Sequence, residues 1–339
     1  MRAAVLEEFN QPLNLQEMPD PEPGVDDAIV RTRAAGICRT DLKIIEGAIP
    51  TVTTPLILGH ELAGEVVALG PGGAGIAEGA RVTVGLDITC GICEYCRRGE
   101  LDHCARLLRL GLERDGALAE FVRVPVANLI EIPPSISFVH AATIPDAVGS
   151  PYHAVLKRAG VRPGQTVAVY GLGGLGLIAV QVAVMAGARV IAIARTKERR
   201  QLAEELGATW SIDPSEAEVS VQIRDLTQGL GVHAFIDMVG IEGSVQQGVL
   251  SSRKGGRVVV VGYLVPQFTA GMMRLVYDEV AIMGSRGSTR SDLLEAVDLV
   301  DQGLIRPIIG AELSLEDVNQ GLDRLRDGSV IGRSVVNIA

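Results

Sequence analysis

The chain has 339 residues, 47% hydrophobic and 21% charged, with a formal net charge of −10. That length accommodates one large domain or two ordinary ones, and the acidic balance argues against nucleic acid, whose binders carry basic patches. No apolar run reaches the ~18 residues that a membrane span requires. The opening MRAAVLEEFNQPL lacks a signal peptide's apolar core, so a cytoplasmic protein with no membrane partner is expected.

Up to residue 148, Gly and Pro punctuate short runs of Val, Ile and Ala. AIVRTRAAGI (28–37), LAGEVVALG (62–70) and ARVTVGL (80–86) predict strands of an irregular, strand-rich domain. From residue 149 the texture changes. TVAVYG (166–171) predicts a buried strand, GLGGLGLIAVQVAVMAGA (171–188) a glycine turn opening an apolar helix, and RVIAIA (189–194) the next strand. ERRQLAEELGA (198–208) has helical spacing and ends at a Gly cap. AFIDMVG (234–240) and GRVVVVG (256–262) predict two more buried strands. Strands alternating with helices predict parallel βαβ units, a doubly wound α/β sheet over 149–284. The tail, 285–339, holds the amphipathic SDLLEAVDLVDQGLI (291–305) and the strand-like GRSVVNIA, and is expected to return to the first domain.

GLGGLG (171–176) follows a predicted strand and opens a predicted helix, the context a dinucleotide loop requires. Gly171 permits the tight turn, Gly173 and Gly174 let a pyrophosphate approach the backbone, and Gly176 lets the helix pack on the strand. The helix N-terminus then faces the phosphates. The alternative is a glycine-rich turn without a ligand. The next strand ends IAIARTKERR (191–200), with no carboxylate to accept a ribose 2′-hydroxyl. Arg195, Lys197 and Arg199 stand there instead and favour the 2′-phosphate of NADP(H) over NAD(H).

Four of the five cysteines, Cys90, Cys93, Cys96 and Cys104, crowd into TCGICEYCRRGELDHC (89–104). A disulfide cluster, a redox centre and a metal site are the three readings. Disulfides are rare in the cytosol. The pattern C-x2-C-x2-C-x7-C can close a tetrahedral Zn2+ shell at ~2.3 Å, and a full shell makes a structural zinc. An iron–sulfur cluster also takes four cysteines, but no adjacent pattern points to electron transfer. A more scattered set comprises Cys38 in GICRTD (36–41), His60 and Glu61 in GHE (59–61), and Asp146 in PDAVGSPYHAV (145–155). Taken singly, Cys38 reads as a buried small hydrophobe and His60 as a satisfied core histidine.

GICRTD, GHE, the four-cysteine lobe, GLGGLG, GGRVVVVG and Gly332–Arg333, in that order along nearly the whole chain, resemble the zinc-dependent medium-chain alcohol dehydrogenases. The resemblance implies a GroES-like catalytic domain from 1–148 and 285–339, with a structural-zinc lobe at 87–106 and a Rossmann domain at 149–284 inserted. It implies two zincs per chain, one structural and one catalytic. The catalytic zinc is held by Cys38, His60 and Asp146, where many members carry a third Cys, with Glu61 able to exchange into the shell. Three protein ligands leave one position open.

By the same resemblance, zinc acts as a Lewis acid on the substrate oxygen, and hydride passes between an alcohol or carbonyl substrate and the nicotinamide. Thr40 matches the relay hydroxyl, with Lys43 where many relatives place a His. Asp41 is expected to orient His60. Arg39, Arg333 and Gly262 match cofactor-contacting positions, and a homodimer or homotetramer is implied. Two rivals stand beside this reading: a reductase of activated C=C bonds on the same fold, and a non-catalytic zinc- and nucleotide-binding relative.

Overall fold

The computed structural model describes residues 1–338. Two compact units divide them: 1–149, 288–303 and the described residues from 309 on form one, and 150–287 with 304–308 form the other.

The first unit is built on a sheet in the order Leu129–Glu131, Arg81–Val84, Glu61–Leu69, Asp27–Ile37, Arg333–Asn337, Ile309–Ser314, with Phe121–Pro125 also pairing to Asp27–Ile37. A three-stranded sheet of Asn14–Glu17, Arg2–Leu6 and Leu56–Ile57 accompanies it. Alternation sets the faces, since successive strand residues point to opposite sides. Val30 and Thr32 are buried while Arg31 between them is exposed. Val30, Leu62, Val82, Val84, Val124 and Val336 are fully withdrawn from solvent and fill the core. Register fixes what meets at the ends of the strands. Gly36 lies opposite Glu61, and Ser334 lies opposite Ile37. The residues just past those pairs, Cys38, His60 and Arg333, are thereby gathered at one edge.

The second unit holds six parallel strands in the order Trp210–Ile212, Arg189–Ile193, Thr166–Tyr170, Val232–Asp237, Ser252–Val260, Ala281–Gly284. The chain winds outward one way from Thr166–Tyr170 and then the other, which is the doubly wound order, with its switch point beside that first strand. The strand Ala281–Gly284 carries no strong sequence signal and forms the sheet's far edge.

The expected domain limits differ at three places, beginning with Gly149, which lies with the first unit. Residues 285–287 and 304–308 lie with the nucleotide-type unit rather than the catalytic one. The cause is visible in the helix Gly174–Met185, which is buried on all sides from Gly176 to Ala183. Its one polar side chain there, Gln181, accepts from the Arg306 N–H at 2.8 Å and donates to the Arg306 carbonyl at 3.0 Å. A buried amide needs both kinds of partner, and the 304–308 segment supplies them, anchored by Ile305, which is 1% exposed.

Candidate active site

Cys38 ends the strand Asp27–Ile37 and caps the seven-residue helix Arg39–Ile45. Its N–H donates to Asp41 Oδ2 at 2.8 Å, which fixes that buried carboxylate. Asp41 Oδ1 then stands 3.2 Å from His60 Nδ1, placing Asp41 where a histidine-orienting carboxylate belongs. Thr40 Oγ1 is 3.7 Å from Cys38 Sγ. Arg39, the first residue of the helix, is exposed.

Asp146 arrives on a π turn, Ile144–Val148, in which the Val148 N–H reaches the Thr143 carbonyl five residues back, at 3.2 Å. The turn contains Pro145, which has no N–H for an ordinary α-helical bond. Such widened turns recur at functional sites because they re-aim a side chain. Here Asp146 Oδ2 comes within 3.2 Å of Cys38 Sγ and 3.9 Å of His60 Nε2.

Cys38, His60, Glu61 and Asp146 each offer a donor atom within 4.8 Å of the other three. His60 Nε2 is buried and has no hydrogen-bond partner. A buried polar atom without a partner is costly in a folded chain, and a metal ion would satisfy it. The donors suit Zn2+, which takes thiolate, imidazole and carboxylate in tetrahedral array. Without a cation, burial pushes the Cys38 thiol up, against the pull of Arg333. Burial likewise pushes Glu61 up to about 8, again against Arg333. Burial opposes a charged His60, yet Asp41 and Asp146 more than offset it and raise its pKa. A dication at the centre reverses these tendencies, favouring thiolate, carboxylate and neutral imidazole.

Arg333, which the resemblance matches to a pyrophosphate-contacting position, has a buried guanidinium, 5% exposed, beside the carboxylates of Glu61 and Asp146. Nε donates to Glu61 Oε2 at 3.1 Å, Nη2 pairs with Glu61 Oε1, and Nη2 donates to Asp146 Oδ2 at 2.7 Å. Burial works against its charge, and Glu61, Cys38 and Asp146 outweigh that, so its proton is held more firmly than usual.

The four cysteines of the lobe converge. Cys93 and Cys96 sulfurs are 3.5 Å apart, and Cys90–Cys96 and Cys93–Cys104 are both 4.0 Å apart. A tetrahedron with ~2.3 Å zinc–sulfur bonds has edges of roughly 3.8 Å, so the spacing fits. Backbone N–H groups also point at the sulfurs. Those of Cys90 and Arg106 lie 3.3 and 3.4 Å from Cys104 Sγ. Backbone hydrogen bonds from Cys96 and Ala105 hold Cys93 down to about 6. Donors aimed at sulfur suit thiolates, the form that binds metal.

In the second unit Gly171 has φ +93°, and a Cβ there would meet Val239 Cγ2 at 2.0 Å. A Cβ on Gly176 would meet the Gly171 carbonyl at 1.8 Å. Gly173 is different: nothing lies within 4 Å of its missing Cβ. Gly174 follows as the first residue of the helix, whose N-terminus has no side-chain cap. Open space over a glycine and uncapped N–H groups fit a pyrophosphate. Gly262 is required by packing, since its Cβ would fall 2.2 Å from the Val239 carbonyl carbon. Arg195 and Lys197 are exposed and Arg199 is half-buried. Arg200 is bound to the carbonyls of Ala194 and Arg195 and to Asp213, fixing the turn they occupy. The sequence reading overlooked Asp237. This fully buried carboxylate accepts from the N–H groups of Val239 and Gly240 at 3.0 and 2.9 Å and so holds the segment that packs on Gly171. A lone Asp ending an apolar strand run was the available signal. His233 is structural, its Nδ1 accepting the Thr166 N–H at 3.1 Å.

Comparison with known proteins gives two matching family models: "Alcohol dehydrogenase GroES-like domain" over residues 24–134 and "Zinc-binding dehydrogenase" over 174–302. An alcohol dehydrogenase of Geobacillus stearothermophilus is 35% identical, covering 100% of both chains. An acryloyl-coenzyme A reductase of Metallosphaera sedula is 32% identical over 98% of each. A structure from Sinorhizobium meliloti 1021, solved bound to NADP, is 33% identical with a TM-score of 0.91, covering 99% of this chain and 98% of that one.

Proposed function

The chain belongs to the zinc-dependent medium-chain alcohol dehydrogenases, and from that premise we propose that it interconverts small alcohols and carbonyl compounds with NADP(H), using one catalytic and one structural zinc. The observation that carries the reading is the convergence of Cys38, His60 and Asp146 around a buried imidazole nitrogen that lacks a partner.

Cys38, His60 and Asp146 would hold the catalytic zinc, and Cys90, Cys93, Cys96 and Cys104 the structural one. When bound, zinc supplies Lewis acidity at the substrate oxygen and the dinucleotide gives or takes the hydride. Asp41 keeps His60 oriented, and Thr40 moves the proton to or from the substrate oxygen at its Oγ1. Gly171, Gly173, Gly174 and Gly176 admit the pyrophosphate to the helix N-terminus. Arg195 and Lys197 receive the 2′-phosphate as charge-assisted donors, and Arg199 extends the same basic turn. Arg39 is exposed and available to a cofactor phosphate.

Oxidation of NADPH against a panel of aldehydes and ketones tests the activity. Reduction of acryloyl-type activated alkenes, with every carbonyl untouched, would overturn it in favour of C=C reduction, the reaction class of the Metallosphaera relative. Arg195→Asp is expected to raise KM for NADPH about tenfold or more, the worth of one charged hydrogen bond, and to leave KM for NADH unchanged or lower. An equal effect on both cofactors would remove the assignment of Arg195.

The second unit's surface supports a homo-oligomer, a dimer or tetramer. Met272, Met273, Val276 and Tyr277 are 64–72% exposed on one short helix, close in sequence to the edge strand Ala281–Gly284. Exposed apolar groups and a sheet edge without a partner strand are what an interface covers. Light scattering at micromolar concentration should give a multiple of the 35.7 kDa chain, and a monomer would sink this reading. Among the described residues no helix is long and apolar enough to cross a membrane.

A further inference from the structure

Tyr170 ends the first parallel strand, one residue before the glycine turn. Its Cα partners are Ile193 on one side and Asp237 on the other. Its ring packs on Phe235, with centroids 5.9 Å apart. A phenylalanine would serve that packing equally well, so the hydroxyl calls for a separate reason. The residue is half-buried, and among the described residues nothing hydrogen-bonds its hydroxyl. A phenol withdrawn from water ordinarily has a partner.

Arg195 stands beside it. Paired strand residues point to the same face, and Arg195 lies two residues past Ile193, the spacing that returns a side chain to that face. The electrostatics agree. Burial pushes the Tyr170 hydroxyl's pKa up, Asp237 adds to this, and the Arg195 guanidinium pulls it back. Asp237 is already engaged by the N–H groups of Val239 and Gly240 and by the Ser244 hydroxyl. The Arg195 side chain is exposed and, among the described residues, makes no ion pair. Two free donors, one neutral and one cationic, thus share the ends of neighbouring strands. The proposed cofactor would cross this place, with its pyrophosphate at the N-terminus of Gly174–Met185 and its ribose 2′-position at the end of the next strand.

We propose that Tyr170 is a specificity-determining residue for NADP(H), its hydroxyl donating to the ribose 2′-phosphate beside Arg195. The inference rests on the NADP(H) reading above. It extends recognition of that phosphate from the strand ending at Ile193 to the one ending at Tyr170.

Titration calorimetry on the intact protein, with adenosine 2′,5′-bisphosphate and with 5′-AMP, reads the contribution of that phosphate without turnover. The parent is expected to bind the bisphosphate more tightly. Tyr170→Phe keeps the ring on Phe235 and removes only the donor. It should weaken the bisphosphate about tenfold, the worth of one hydrogen bond to a charged group, and leave 5′-AMP binding as in the parent. NADP+ and NAD+ should repeat the pattern. An equal loss for the two nucleotides, or no loss for either, overturns the assignment of Tyr170. If the parent binds the bisphosphate no more tightly than 5′-AMP, the NADP(H) reading itself fails, and the role of Tyr170 falls with it.

Discussion

Replacing Cys38 with alanine is expected to lower kcat/KM for alcohol oxidation by about a thousandfold or more while the fold persists. The thiol is one of three donors proposed for the catalytic metal. Without it, the Lewis acidity that lowers the barrier by about 4 kcal/mol is lost. The side chain removed is small, and the helix it precedes stays anchored, because the Cys38 N–H to Asp41 bond belongs to the backbone. Bound zinc should fall from two to one per chain, with circular dichroism unchanged. Turnover within tenfold of the parent would show that the chemistry lies elsewhere.

Cys93→Ser is expected to do the opposite. The lobe from Cys90 to Cys104 contains a four-residue helix, and among its residues only Cys96 and Cys104 are buried. It has no hydrophobic core of its own, so on the proposed reading its order comes from the zinc it would hold, which contributes folding free energy directly. Zinc should again fall to one per chain. Trypsin should now cut rapidly after Arg97, Arg98 and Arg106, which are exposed in sequence but constrained by the closed shell. Turnover per remaining zinc should stay within about tenfold, because no residue of this lobe is assigned to the reaction. An unchanged digestion pattern, or loss of turnover with the lobe intact, would contradict this division of roles.

The parts of the molecule that read well from sequence are those whose signal is local. The parallel sheet follows from short apolar runs separated by helices, and the four-cysteine lobe is closed over fifteen residues of chain. The glycines Gly171 and Gly176 act within six residues of one another. What escaped depends on long-range register or on backbone detail. Arg333 meets Glu61 only because Ser334 pairs with Ile37 and Gly36 with Glu61, and no spacing in the sequence encodes that juxtaposition. The π turn that aims Asp146 is a hydrogen-bond choice that PDAV does not announce. That the Val239 backbone leaves no room for a side chain at Gly262 is likewise a matter of packing that the letter alone does not state. The return of residues 304–308 to the second unit hangs on one glutamine inside an otherwise apolar helix.

The span of chain across each metal site sets when it can be completed. Cys90 and Cys104 stand 14 residues apart, so the lobe closes by a short local loop. Glu61 and Arg333 stand 272 residues apart, and Asp146 and Arg333 stand 187 apart. Closing long loops costs entropy before any contact repays it, and synthesis delivers the chain from its N-terminal side. The four cysteines can therefore come together while most of the protein is still unmade. Cys38, His60 and Asp146 can do so once Asp146 is in place, but Arg333 arrives only after the whole parallel sheet has been synthesised. The lobe can thus close early in synthesis, whereas the ion pairs that Arg333 makes with Glu61 and Asp146 form only after the parallel sheet has been made.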